Sequence, residues 1–401
     1  STRKRTPEPV SPRNDISPPG RGRLLAMAAA LSFTGAILVS CADGPGPAHS
    51  PARSPSPPPP SPAASSLTPA SEAALPTPPD RDLLDLARRL GRAPASQTVP
   101  RPAPDANARR TFFVTVLPPG AIGGDALPSI REVTGVLLAA SEHALFYWEE
   151  GFEPGEAAAR IAAETFETVV RPAVTPVFGE QPRGGVDGDD HIVVLHADLG
   201  GDAGGYFADT DTVPVWASPY SNEADMVYLD ASTPPDSPAY GPLLAHEYQH
   251  LLQFARDSGE ESWVNEGLSE FAANLTAPYG GSRRAFLENP RLQLNRWDGS
   301  RADYGKAYLW FEYLAQRFGR SLVDSVAREP RDGAPGVAAA LETAGARLEE
   351  VLADWATANY LDRASGPSGY PDTDVSVSPT ASVRPGERLV EGGQPLAGEL
   401  D

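Results

Sequence analysis

The stretch LLAHEYQHLLQ, residues 243–253, sets two histidines four positions apart and a glutamate directly after the first. Ser237 and Pro238 upstream offer a cap and a first-turn proline, so the spacing predicts a helix from there to about Arg256. On such a helix His246 and His250 share one face a single turn apart, within reach of one metal ion. Glu247 stands beside the first imidazole, where a carboxylate can take a proton from water activated by that ion. Two histidines on a helix also suit packing or a surface face. A catalytic metal needs a third protein ligand, and the rest of the chain has to provide it.

No further histidine follows nearby, and the single cysteine, Cys41, excludes a cysteine-rich zinc site and any disulfide within the chain. The third ligand is therefore expected to be a carboxylate. SWVNEGLSEFAANL, residues 262–275, offers Glu266 and Glu270. From His250 to Asp257 the first helix advances about 10 Å at 1.5 Å per residue. Asp257-Ser258-Gly259 is turn material. A returning helix covers about 6 Å from Ser262 to Glu266, which brings Glu266 opposite His250. Glu270 lies one turn further on the same face, placed to accept a hydrogen bond from the free ring nitrogen of a liganding histidine.

At this point the chain resembles a known family. HEYQH followed by WVNEGLSEF is similar to the gluzincin metallopeptidases, which pair a His-Glu-x-x-His helix with a glutamate in an Asn-Glu-Gly or Asn-Glu-Ala context. The Asn-Glu-x-x-x-Asp run of thermolysin falls on Asn265, Glu266 and Glu270, with glutamate in place of the aspartate and a shorter loop between the helices. The closer resemblance is to the hyicolysin-type neutral metallopeptidases. They share the short spacing, an AGYF-like loop (Ala203 to Phe207, with an extra glycine), a MVYLD-like strand and a YGKAYLWFEYL-like helix. Together these cover roughly residues 110 to 361. The resemblance implies one catalytic Zn2+ held by His246, His250 and Glu266, with Glu247 as general base. It also implies a peptide or protein substrate, and a strand at DMVYLD (225–230) that serves either as a peptide-binding edge or as a buried strand. The Tyr-Gly-Lys-Ala of residues 304–307 is similar to a stretch of related zinc aminopeptidases whose tyrosine donates to the oxyanion. That makes Tyr304 the catalytic donor and Tyr308 the reserve, unless both tyrosines only pack.

The chain ahead of this region reads as export machinery. Arg21 and Arg23 precede an apolar run from Leu24 to Leu38, which ends in Leu38-Val39-Ser40-Cys41. A basic start, a short apolar stretch and small residues form an export signal. Ending in cysteine, it resembles a bacterial lipobox, which implies lipidation at Cys41; an uncleaved anchor is the alternative. Residues 42–79 carry 13 prolines among serine and alanine and form a spacer that cannot bury enough apolar surface to order itself. The expected location is therefore extracytoplasmic, lipid-anchored at the cell membrane or secreted. A formal net charge of −20 argues against nucleic acid as a partner.

The folded domain is expected over 80–363, followed by an irregular tail over 364–401. Periodicity predicts helices over 80–92, 131–150 and 155–170, strands over 111–117, 191–196 and 225–230, and helices onward to about Leu361. Strands first and helices later define an α+β class, a zincin-like body with a strand-containing N-terminal half and a mainly helical C-terminal half. His143, His191 and His196 have no ligand spacing to another metal-type residue and read as structural. The run Asp187 to Asp190 reads as a solvated turn, with an oxygen cage for calcium as the alternative. Beside the peptidase stand two other readings. One is an inactive zincin-fold envelope lipoprotein that uses its cleft as a binding module. The other is a zinc hydrolase acting on something other than a peptide.

Overall fold

The computed structural model describes residues 82–91, 105–120, 126–277 and 282–370, apart from 106, 202, 289 and 364, and two short paired strands at Val390–Glu391 and Gln394–Pro395. The export signal with Cys41, the spacer with His49, and most of the tail lie outside the described residues. Helix α1 (Leu83–Arg89) packs Ala87 against Val213 and Ala217, and its first turn is capped by the Asp82 carboxylate, which accepts from the Asp85 N–H at 2.9 Å.

Six strands form one mixed sheet: β1 (Arg109–Val116), β2 (Ser129–Ala140), β3 (Ala144–Glu149), β4 (Ile192–Ala197), β5 (Gly205–Phe207) and β6 (Met226–Asp230). Their spatial order is β1-β2-β3-β4-β6-β5. The three buried strands β3, β4 and β6 run parallel, and the other pairs are antiparallel. Continuous apolar runs such as ALFYW and IVVL belong to strands covered on both faces. Alternate residues feed two cores. Phe146, Trp148, Val194 and Leu229 face the helices, while Leu145, Tyr147, Leu195 and Tyr228 pack with Phe112 and Val114 on the opposite face.

The helix expected over 131–150 is instead the hairpin β2–β3. Val133, Leu137, Ala144 and Trp148 fit a helical period, but a segment buried on both faces satisfies periods of two and of 3.6 alike. Ala140, which a helical stripe would bury, is exposed at the strand end. The chain reverses at Ser141–His143 without glycine or proline; the Ser141 hydroxyl accepts from the Ala144 N–H, and Glu167 accepts from the His143 N–H. His143 thus belongs to a turn rather than a helix. A register shift between Leu137 and Ala139 completes the departure from a simple ladder.

The crossover from β3 to β4 carries α2 (Glu156–Thr165), a π-helical turn (Phe166–Val170) and α3 (Arg171–Phe178). Pro172 has no N–H, and its ring would press on the carbonyl four residues earlier, so the chain widens there. The Arg171 N–H bonds the carbonyl of Phe166, five residues back.

The second half is helical: α4 (Tyr240–Phe254), α5 (Ser262–Thr276), α6 (Arg283–Leu287), α7 (Arg301–Phe318), α8 (Arg320–Ala327), α9 (Gly333–Thr343) and α10 (Leu348–Leu361). No described helix is long and apolar enough to cross a membrane. Packing continues to Tyr370, past the boundary expected at 363; its ring meets Tyr313, and its hydroxyl donates to Asn359 Oδ1.

Strand β6 is not an edge. It lies between β4 and β5, and all three residues of β5 are buried as well, so the expectation of a peptide-binding edge at 225–230 is corrected. The sequence placed that strand beside the metal helix but had no signal for the three-residue β5 that covers it. The segment from β5 to β6 is tied down by a buried polar cluster. Asp211 accepts from the Tyr228 hydroxyl at 2.5 Å and from the Asn222 N–H at 2.7 Å. The Asn222 side chain in turn brackets the Phe113 backbone on β1, accepting from its N–H and donating to its carbonyl, both at 2.8 Å.

Candidate metal centre

Helix α4 begins at Tyr240, two residues later than Ser237-Pro238 suggested. Ser237 closes the preceding turn instead, its carbonyl accepting from the Tyr240 N–H. Every residue from Tyr240 to Gln253 is buried, because α4 runs between the sheet and the other helices. Asp257 to Gly259 then turns the chain back. Helix α5 can approach α7 closely because residue 267 is glycine; a β-carbon there would lie 2.5 Å from the Phe311 ring and 3.1 Å from the Ala307 carbonyl.

This hairpin brings the expected ligands together. The Nε2 atoms of His246 and His250 are 3.1 Å apart, and Glu266 Oε2 lies 3.3 Å from the first and 3.5 Å from the second. These three residues are the only group among the described residues with the spacing of a metal site. Ligand atoms about 2.0–2.2 Å from a tetrahedral ion stand about 3.3–3.5 Å from one another, so the triangle has the right size. Its charge fits too. Glu247, Glu266 and Glu270 crowd two buried imidazoles. Burial pulls the His246 ring downward, yet the carboxylates of Glu266 and Glu270 and the charge of Glu247 prevail and push it up to about 10. Carboxylates crowded onto buried imidazoles favour positive charge at this point.

Helix α5 presents two rows to the two histidines. Glu266 and Glu270, one turn apart, face His246, with Glu270 Oε1 3.5 Å from its Nδ1. Asn265 and Ser269 face His250, each 3.1 Å from its Nδ1. The placement of Glu270 beside His246 follows the one-turn spacing from Glu266, although His246 Nδ1 makes no hydrogen bond to it. The roles of Asn265 and Ser269 were not legible in the sequence, since polar residues in a helix usually mark its solvent face.

Glu247 lies against Gly205 of the sheet. It is fully buried, and neither carboxylate oxygen has a hydrogen-bond partner. Burial pushes it well above the ordinary glutamate range, and Glu266 and Glu270 add to the shift against the opposing pull of His246. Its neighbour is Gly205 at the start of β5. A β-carbon on that glycine would sit 2.8 Å from Glu247 Oε1 and 2.7 Å from the Tyr228 carbonyl. A glycine opening a short strand signals close approach of another group, but the sequence does not say which.

Tyr304 and Tyr308 are both buried on α7. The Tyr304 ring packs edge-on against Trp297 at 5.0 Å. Burial pushes the Tyr308 hydroxyl upward, and the charges of Glu312 and Glu270 reinforce that, so Tyr308 lies within electrostatic reach of the site. His196 is locked in the core between Trp148 and Tyr240, held near pKa 3 by burial, and His191 pairs with Asp189 at 2.6 Å. In the turn at 187–190, Asp187, Asp189 and Asp190 each accept from a backbone N–H.

No family model matches the chain, and no curated protein matches it. The centre is therefore defined by its geometry: a buried His246, His250 and Glu266 group able to hold a metal ion, inside a mixed α+β fold.

Proposed function

We propose that this chain is a zinc-dependent peptidase of the zincin type, with His246, His250 and Glu266 as metal ligands. The observation that carries the reading is the ligand triangle beside a buried, unpartnered carboxylate at Glu247. Zinc suits two imidazoles and one carboxylate, and when bound it supplies Lewis acidity that acidifies water and draws charge from a carbonyl. Glu247 receives the proton from the attacking water and passes it to the leaving amine. Glu270 orients His246 through Nδ1. Tyr304, with Tyr308 in reserve, donates to the developing oxyanion.

A module that only binds would leave the buried Glu247 carboxylate without a use, and burying such a group without a partner is unfavourable. The test combines metal analysis with digestion of casein by the full chain and by Glu247→Gln. Zinc bound near one equivalent, with cleavage lost only in the variant, is the expected result. A parent that binds zinc and leaves casein and unstructured peptides intact would sink the peptidase reading.

The same proposal includes lipid attachment at Cys41 and an extracytoplasmic location, argued from the sequence of the leader. Cys41→Ser should release the protein from the membrane fraction or leave its precursor unprocessed; unchanged fractionation and mass count against it.

A further inference from the structure

Behind His250, on the side away from the metal face, runs a line of buried polar groups that the mechanism above does not use. Ser269, Gln249 and Gln253 are buried to 2% exposure or less. Ser269 Oγ lies 3.1 Å from His250 Nδ1 and donates to Gln249 Oε1 in a short hydrogen bond. Gln249 Nε2 donates to Gln253 Oε1 at 3.5 Å, and Gln253 Nε2 donates to the Ala327 carbonyl at 3.2 Å.

The direction of this line is fixed from its far end. Ala327 is the last residue of α8, and its carbonyl has no donor within the helix. A carbonyl can only accept, so Gln253 must present its NH2 group there and its oxygen to Gln249. Gln249 then presents its NH2 to Gln253 and its oxygen to Ser269. The serine hydroxyl has one proton, and its acceptors are Gln249 Oε1, by the shorter bond, and the Asn265 backbone carbonyl at 3.1 Å. What remains facing His250 is an oxygen lone pair, which accepts from an Nδ1–H and offers nothing to a bare Nδ1. Asn265 Oδ1, 3.1 Å from the same nitrogen, accepts alongside. An asparagine amide alone can turn either end to the ring; a hydroxyl whose proton is committed elsewhere cannot.

We propose that Ser269, Gln249 and Gln253 are positioning residues that hold His250 in its Nδ1–H tautomer, leaving the Nε2 lone pair free for the metal. The metal consequence rests on the reading of His250 as a ligand; the tautomer does not. The relay ties the ion's affinity to the C-terminal end of α8, which contributes no ligand itself.

The tautomer is read directly by nitrogen NMR of the full chain, metal-free and labelled at histidine, with His250→Gln identifying the signal. The parent should show His250 protonated at Nδ1, and a parent protonated at Nε2 overturns the proposal without recourse to any variant. Gln249→Met and Gln253→Met should each give a mixture of tautomers. Zinc affinity, measured by chelator competition, should fall roughly 10- to 100-fold in Ser269→Ala, the range for partners that orient a ligand. Gln253→Met should weaken zinc in the same direction although it touches neither ring nor ion. Zinc affinity within twofold of the parent in both folded variants overturns the relay. A parent with the Nδ1–H tautomer but no zinc uptake supports the relay and sinks the peptidase reading.

Discussion

Glu247 and Gly205, 42 positions apart in the chain, meet face to face: the carboxylate of one occupies the space a side chain on the other would need. The Tyr228 carbonyl closes the same space from β6 and belongs to a rigid ladder, so any displacement falls on Glu247. Gly205→Ala should therefore cost about 1–3 kcal/mol from overpacking. It should also lower kcat about 10-fold or more with zinc retained, because the base moves while the ligands do not. Gly241→Ala on the same metal helix is the control. There a β-carbon meets nothing nearer than Thr165 Cγ2 at 3.7 Å, and activity should stay near the parent's. A Gly205→Ala protein with parent turnover removes the contact from the mechanism.

Glu247→Gln should keep fold and zinc and lose turnover by about 100-fold or more, the usual contribution of a general base. His246→Ala, His250→Ala and Glu266→Ala should lose the metal instead, which elemental analysis detects. Glu270→Ala should weaken zinc only by about 10- to 100-fold, since it acts through His246 Nδ1. If Glu270→Ala lost the metal and Glu266→Ala kept it, the two carboxylates would exchange roles.

Tyr304→Phe deletes only a hydroxyl. As the oxyanion donor it should lower kcat/KM roughly 10- to 1000-fold, with zinc content and Tm nearly unchanged. Parent-like activity passes the role to Tyr308, whose hydroxyl feels the charge of Glu270. Tyr308→Phe is then the decisive variant.

Asp211 gives the fold a pH dependence of definite sign. Burial raises its carboxyl from the ordinary 3.8 to about 7, against the hydrogen bonds from Tyr228 and Asn222. Between those two values the native state holds a proton that the unfolded chain has released. Stability from this group is therefore full at low pH and falls as pH rises, by up to about 1.4 kcal/mol per unit. Asp211→Asn has nothing to ionise. Thermal melts at pH 5 and pH 8 should show Tm of the variant gaining on the parent at the higher pH; equal shifts in both proteins would refute the assignment.

The grouping of His246, His250 and Glu266 was legible because it is local in the chain. His246, His250 and Glu266 sit in two adjacent helices joined by Asp257-Ser258-Gly259, and a rise of 1.5 Å per residue suffices to pair them. The hairpin β2–β3 was not legible, since Val133, Leu137 and Trp148 satisfy two periods and the turn at Ser141 carries no glycine or proline. Gly205 was visible as one of several glycines, but its contact with Glu247 depends on the order β4-β6-β5, which no local pattern encodes. Ser269 and Gln249 were hidden for another reason: a polar side chain inside a helix looks the same whether it meets water or a histidine.

The compactness of the α4–α5 pair along the chain bears on how the protein assembles. The three grouped side chains lie within 20 positions, from His246 to Glu266, so closing that loop removes little chain entropy compared with the long-range pairings of the sheet. The helical hairpin can zip early, while strand β5, which must reach Glu247 from far upstream, arrives late. An ion captured by the hairpin would then act on the rate-limiting barrier itself. Zinc should raise the folding rate along the refolding arm of the denaturant chevron, and not merely slow unfolding. Such a chain would be born metallated, with its ion serving as a folding nucleus before it serves as a reagent.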